Sequence, residues 1–174
     1  MKPFNVIETP IPSPVDAQTY RQVLGSFASG VTIVTAFDQK NSLVGFTANA
    51  FTALSLDPPL VLICAKYTSD SYWHIQESGT FAINILAHDQ SALAEAFSRK
   101  GAEKADGIAY RYSEHGLPLL KNSLSWIECD LSNEYAGGDH AILVGRVLKL
   151  TSSKRDCGPL LYYQGQLRES GIRS

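Results

Sequence analysis

Residues 45–66 read GFTANAFTALSLDPPLVLICAK. Small and hydroxyl-bearing side chains (Thr47, Ala48, Asn49, Ala50, Thr52, Ser55) run up to a stop at Asp57-Pro58-Pro59, and an apolar segment leaves the prolines. Side chains this small let a flat ligand lie close to the main chain, where amide and hydroxyl groups can serve its polar edge or a phosphate. The same composition also suits an ordinary loop capped by hydroxyls. Residues 60–65 form a short, continuous apolar run after two prolines, the pattern of a strand buried on both faces.

Upstream, residues 16–29 read as a helix. Tyr20, Val23, Leu24 and Phe27 share one face at helical spacing, and Asp16 is placed to cap it. Gly30 ends that helix, residues 31–37 follow as a β-branched strand, and Asp38-Gln39-Lys40-Asn41 turns the chain into a second strand over 43–47. Downstream, residues 69–77 predict a short helix capped by Ser69 and closed at Gly79. A strand over 81–86 follows, then a helix capped by Asp89 with Leu93, Ala94 and Phe97 facing inward. Residues 101–107 break regularity. Residues 125–131 alternate, Ile127, Cys129 and Leu131 against Trp126, Glu128 and Asp130, which predicts a strand exposed on one face. Strands over 141–150 and 160–163 complete the pattern. Many strands, short helices and few βαβ spacings favour an antiparallel barrel over a doubly wound sheet, and no GxGxxG follows a strand.

The chain has 174 residues, of which 44% are hydrophobic, enough for one core and too few for two domains. The expected organisation is an extended arm over 1–15, one domain over 16–168 and a tail over 169–174. A net charge of −2 with scattered signs offers no basic stripe for nucleic acid. No run of about 18 apolar residues could span a membrane, and no segment resembles a signal peptide, so a cytoplasmic location is expected. The three cysteines, Cys64, Cys129 and Cys157, are widely spaced, with no CxxC pair and no zinc-like histidine spacing, so no metal is expected.

Five stretches together resemble the short-chain flavin reductase family, the reductase components of two-component flavin monooxygenases: FASGVTIVTA, the 45–66 segment, FAINILA, GGDHAILVGRV and PLLYYQGQ. The resemblance implies a mainly β fold with short helices, a Greek-key split β-barrel of the FMN-binding type, and a homodimer with flavin near the subunit interface. It also implies residue roles. Thr47, Ala48, Asn49, Ala50, Phe51 and Ser55 would hold the isoalloxazine edge and ribityl chain, with Val31, Thr32 and Ala65 beside the ring. Lys66, Ser69 and Ser71 would lie near the flavin phosphate, although helix capping alone also accounts for the two serines. Ala50 stands where many relatives carry serine, and Gln166 follows Gly165 where an aromatic is common.

Phe97, Ser98, Arg99, Lys100 and Lys104 have the composition of a solvated helix end. By resemblance they lie near the distal end of the flavin, and Arg99 or Lys100 would reach an adenylate. Asp139-His140, after two glycines, is the sharpest ionisable pair. A histidine there can be a loop residue with a structural hydrogen bond, whereas the family's GDH motif places it at the nicotinamide pocket, with Asp139 fixing its tautomer. His74, His88 and His115 read as surface residues. Tyr162 and Tyr163 read as strand aromatics, and Tyr163 would line the cofactor cleft.

The expected function is reduction of FMN or FAD by NADH or NADPH, with the reduced flavin passing to a separate monooxygenase. Two further readings stay open: a flavoprotein whose tightly bound flavin acts on another small substrate, and a non-catalytic flavin-binding module.

Overall fold

The 45–66 stretch folds as two strands and a hairpin. In the computed structural model, which describes residues 15–101 and 105–170, β3 (Leu43–Ala48) and β4 (Phe51–Leu56) are separated only by Asn49 and Ala50. A tight turn at Asp57-Pro58 then sends the chain back as β5 (Pro59–Lys66), antiparallel to β4. The loop reading of the hydroxyl-rich segment is therefore corrected. Thr52 and Ser55 lie in an edge strand, which tolerates the prolines at its end because a sheet edge needs no complete ladder.

Upstream of β3 lie α1 (Ala17–Leu24), β1 (Ser29–Gly30) and β2 (Thr32–Phe37). Downstream of β5 come α2 (Asp70–Ser78), β6 (Thr80–Ile85), α3 (Ser91–Ser98), β7 (Tyr110–Tyr112) and β8 (Pro118–Leu120). Two 13-residue strands, β9 (Ser125–Gly137) and β10 (His140–Ser152), form a long hairpin, and β11 (Leu160–Tyr163) and β12 (Gln166–Glu169) form a short one. The main sheet has seven strands in the order β3-β2-β6-β9-β10-β5-β4, all antiparallel. Its edge strands, β3 and β4, are consecutive in the chain, and two residues reach only about 7 Å. The sheet must therefore curl until its edges meet at the Asn49–Ala50 corner. Among the described strands β3 pairs only with β2 and β4 only with β5, so the barrel is split along that seam.

Inside the barrel, Val34, Ile63, Phe81, Ile83, Cys129 and Leu143 form the main core. A second cluster joins Val31 and Ile33 to Leu86, Phe97, Leu120 and Leu160, seating α3 and β11 against the sheet. A third, Ala82, Leu117, Leu119 and Trp126, lies under the β7–β8 hairpin. That hairpin is pinned by a buried polar network in which Asn84 donates to Thr35 and accepts from the Leu120 amide at 2.8 Å, while Thr35 donates to Pro118. Trp126 Nε1 donates to the Leu120 carbonyl at 2.8 Å.

The hairpin explains one correction. β9 is buried on both faces from Trp126 to Cys129, although it alternates in sequence, because β7–β8 covers its outer face. Glu128 is only 2% exposed, and His115, which lies at the surface as expected, reaches it with Nδ1 2.7 Å from the carboxylate. A buried carboxylate without such a partner would be strongly destabilising. Conversely, β5 is a continuous apolar run yet is buried on one face only, through Val61, Ile63 and Ala65, while Leu60, Leu62 and Cys64 are half-buried.

Helix α1 is shorter than expected and ends at Leu24 with Gly25 as its C-cap, so Phe27 lies beyond it. Asp16 caps it as expected, accepting from the amides of Gln18 and Thr19 at 2.9 Å. Its apolar side is exposed among the described residues, with Val23 62% and Leu24 53% exposed, and Phe27 just beyond it is 81% exposed. Helix α2 ends at Gly79 as expected, but Ser69 makes no side-chain capping bond. Gln90, not Asp89, is the N-cap of α3; Asp89 is taken by Arg155 at 2.6 Å. No described helix is long and apolar enough to cross a membrane. The expected arm, apart from Val15, and residues 171–174 of the tail lie outside the described residues.

Gly145, in β10, sits at a close approach within the core. A Cβ there would lie 2.7 Å from Phe81 Cζ and 3.0 Å from Cys129 Cβ. Gly145→Ala is expected to destabilise the protein by about 1–3 kcal/mol, the scale of overpacking. Urea unfolding should show a lower midpoint at an unchanged slope; an unchanged midpoint would mean that the barrel interior yields without cost.

Candidate functional site

The corner that closes the barrel also carries a cleft. Around it stand the end of β3, the first turn of α2, the C-terminal end of α3 and the start of β10, enclosing about 380 Å³. Thr47, Ala48, Asn49 and Ala50 form one wall. Their hydroxyl chemistry is partly committed: Thr47 donates to the Ala94 carbonyl at 2.6 Å, tying the corner to α3, and Thr32 donates to the Ala48 carbonyl at 2.8 Å. What the corner turns outward is the exposed Asn49–Ala50 pair. Phe46 and Phe97 add aromatic surface.

Polar groups converge on this cleft from three directions. Lys66 ends β5, and Thr68, Ser69 and Asp70 lead into α2, whose first amides have no intrahelical acceptor. Ser98, Arg99, Lys100 and Gly101 follow from the end of α3. Three cations against the single carboxylate of Asp70 make the lining net positive, and with the N-terminus of α2 it suits an anionic ligand. Cys64 also lines the cleft, and burial raises the pKa of its thiol above the usual value.

His140 closes the fourth side. It opens β10 opposite Lys66 of β5 and Gly137 of β9. Gly138, with φ of 72°, supplies the left-handed conformation that turns the hairpin just before it. His140 Nδ1 lies 2.7 Å from Asp139 Oδ1. The hydrogen bond to His140, followed by its charge, holds the Asp139 carboxyl below the usual carboxylate range. A carboxylate partner favours the proton on Nδ1 and leaves Nε2 as the nitrogen for a ligand.

A second cleft of about 670 Å³ adjoins the first, sharing Thr47, Asn49 and Ser98, and extends to Val31, Ala94, Glu95, Tyr162, Gly165, Gln166 and Leu167. Of the residues singled out in sequence, Thr47, Ala48, Asn49, Ala50, Lys66, Ser69, Phe97, Ser98, Arg99, Lys100 and His140 line the first cleft, and Val31 lines the second. The others lie elsewhere. Thr32 and Ala65 are buried in strands, Ser71 donates its hydroxyl to the Gly45 carbonyl at 2.8 Å, and Phe51 and Ser55 sit in β4. Asp139 reaches the cleft only through His140, and Lys104 lies outside the described residues. Tyr162, not Tyr163, borders a cleft, because neighbours in a strand point to opposite faces.

Thr68, Asp70, Cys64 and the β11–β12 turn were missed in sequence. The turn had a legible signal: Gln164-Gly165, with φ of 50° and 76°, is the two-residue, positive-φ connection of a hairpin. Among the described residues no group of His, Cys, Asp or Glu is arranged to hold a metal ion.

Residues 24–171 match the model of the flavin reductase like domain family. The chain is 43% identical, over 87% of its length and 77% of the relative's, to the flavin-dependent monooxygenase reductase subunit HsaB of Rhodococcus jostii. It is 37% identical, over 88% and 89% of the two chains, to a flavin reductase of Pseudomonas putida. Among solved structures it superimposes on nitrilotriacetate monooxygenase component B from Mycobacterium thermoresistibile with a TM-score of 0.83, at 40% identity over 86% and 84% of the chains. The NADH:FAD oxidoreductase SgcE6 of Streptomyces globisporus gives a TM-score of 0.84 at 31% identity, over 94% and 99%.

The Asp139–His140 contact has a direct signature. A carboxyl whose folded pKa lies below its unfolded value lends stability above the unfolded value, and loses it as pH falls through the folded one. Carbon-detected NMR should find Asp139 titrating below 3.8, and His140→Ala should move it back up toward that value. An unmoved titration in His140→Ala would mean that the imidazole does not hold this carboxylate.

Proposed function

The chain belongs to the flavin reductase like domain family, and from that membership we infer that it is an NAD(P)H:flavin oxidoreductase that supplies reduced FMN or FAD to a separate monooxygenase. The observation that carries this reading is the convergence of Lys66, Arg99, Lys100, the start of α2 and His140 on one cleft beside the small-residue corner.

The residues present fit a flavin nucleotide. The amides opening α2 and the Lys66 ammonium match a phosphate, and Arg99 and Lys100 suit the adenylate portion of a dinucleotide. Asn49 and Ala50, exposed and small, allow a planar ring close to the main chain, and Phe97 supplies apolar surface. Bound flavin supplies the hydride acceptor for a reduced nicotinamide, so the chain has to bind, orient and exclude water rather than act as acid or nucleophile. The cleft accordingly offers one histidine and no pair of carboxylates. His140, oriented by ionised Asp139, positions the nicotinamide, and in its charged form adds to the positive lining that favours an anionic reduced ring.

The assembly we propose is a homodimer. Its support is the solvent-facing apolar surface of Tyr20, Val23, Leu24 and Phe27, each of which gains about 1.5–3 kcal/mol when fully covered. Gln164 donates its amide to the Gly25 carbonyl at 2.8 Å, so this surface adjoins the turn that borders the second cleft.

Three measurements test the reading. NADH or NADPH consumption should rise with added FMN or FAD; a rate indifferent to added flavin would move the activity to another substrate, and no rate would leave only a binding module. Asn49→Leu should weaken flavin binding by about tenfold in a fluorescence titration, equivalent to about 1.4 kcal/mol. His140→Ala should largely spare flavin affinity while raising the KM for the nicotinamide and lowering kcat by roughly 10- to 100-fold, the scale of lost alignment in a preorganised site. Wild-type flavin reduction in stopped flow by His140→Ala would return the residue to a structural role.

A further inference from the structure

The strand that leads to His140 outruns its own sheet. Pairing between β6 and β9 ends at Thr80 opposite Asp130, and the Leu131 amide makes a last bond to the Gly79 carbonyl at 2.8 Å. Residues 132–137 of β9 are exposed, and among the described strands only β10 flanks them. This half of the hairpin is a ribbon held on its β10 side by pairing of residues 140–143 with 63–66 of β5, while its β9 edge is open.

One side chain ties that edge back to the protein. Glu134, opposite Leu143 in the ribbon, accepts a hydrogen bond from the Tyr72 hydroxyl at 2.6 Å and another from the Gln76 amide, both on α2. Tyr72 is only 4% exposed and packs edge-on against Tyr67 and Trp73, with ring centroids 5.5 and 4.8 Å apart. The Tyr67 amide in turn faces the Asp139 carbonyl at 3.4 Å. Burial, then the Glu134 carboxylate, push the Tyr72 phenol up to about 12, so it remains a donor throughout the neutral range. A hydroxyl donating to an ionised carboxylate is among the stronger hydrogen bonds available to a protein. Helix α2 is also fixed by the Ser71 bond to Gly45 of β3.

Helix α2 and the ribbon form facing walls of the first cleft, α2 through Ser69 and Asp70 and the ribbon through His140. We propose that Glu134 is a positioning residue: by accepting from Tyr72 and Gln76 it clasps the β9–β10 ribbon to α2 and sets the separation of His140 from the first turn of α2. The proposal rests on the reading of this cleft as the flavin and nicotinamide site. Glu134 itself lines neither cleft, so it acts through the ribbon.

The test compares Glu134→Leu and Tyr72→Phe, which break the clasp, with Glu134→Gln, whose amide oxygen can still accept from Tyr72. Steady-state kinetics give KM and kcat for NADH at saturating FMN. Imidazole NMR of the ligand-free protein reports the surroundings of His140 without reference to activity. Glu134→Leu should raise the KM for NADH about 5-fold, and Tyr72→Phe about 2- to 5-fold, with kcat changed less than about 2-fold, the mark of disturbed ground-state positioning. The His140 signals should shift in both, and Glu134→Gln should restore signals and KM to near wild type. Unchanged KM and unchanged His140 signals in the two disrupting variants, whatever their loss of melting temperature, would overturn the proposal. A shifted signal with unchanged KM in an active background would do the same. If the wild type fails to reduce flavin with NADH, the functional reading falls while the His140 signals still decide whether the clasp positions the ribbon; should Glu134→Leu not fold, Tyr72→Phe carries the comparison.

Discussion

The Asn49–Ala50 link joins strands at opposite edges of a seven-stranded sheet, and most of the molecule follows from that short tether. A sheet whose edge strands are two residues apart cannot lie flat. It curls, its concave face becomes the core of Val34, Ile63, Phe81 and Leu143, and the unpaired seam opens where the tether crosses. The cleft sits at that seam, where β3 and β4 do not pair with each other. Small residues are required at the corner for the same reason: a large side chain would fill the space that closure leaves.

Three other segments, besides what they bury in the core, are tied around the corner by polar side-chain bonds. Thr47 ties it to α3, Ser71 ties α2 to β3, and Tyr72 ties α2 to the β9–β10 ribbon. The two neutral bonds contribute about 0.5–1.5 kcal/mol net each, and a bond to a charged group such as the Glu134 carboxylate about 1.5–3 kcal/mol. Their value lies in geometry, since they hold four chain segments at fixed spacing around an open cleft. The apolar clusters below supply the stability, while the cleft itself has Phe97 as its most deeply buried lining residue and exposed, charged residues elsewhere.

This arrangement suits chemistry in which the reacting atoms belong to bound cofactors. Hydride transfer between two planar rings asks for alignment, an anion site for the phosphates and a positive environment, and the cleft has a cationic lining, a helix N-terminus and one oriented histidine. The absence of a carboxylate pair in it is consistent with a reaction that draws no proton from the protein.

Local chemistry in the sequence determined the strand-rich class, the stop at the prolines, the cap at Asp16, the end of α2 at Gly79, and the small-residue and GGDH stretches as the places to look for a ligand. These are properties of a few neighbouring residues, set by backbone conformation and side-chain size. Which faces are buried was decided only by tertiary structure. The alternating β9 became two-sided because the β7–β8 hairpin and His115 cover Glu128, whereas the continuous apolar run of β5 became one-sided. The apolar stripe of α1 pointed to a core that the described residues do not provide. The cleft likewise needed the fold: Ser71, two residues after Ser69, is spent on Gly45, Tyr162 and Tyr163 part to opposite faces, and Thr68 and Asp70 join Lys66, Arg99 and His140 only when the barrel closes. Periodicity reports that a face is apolar or polar, but what covers that face depends on contacts between residues far apart in the chain, which no local pattern encodes.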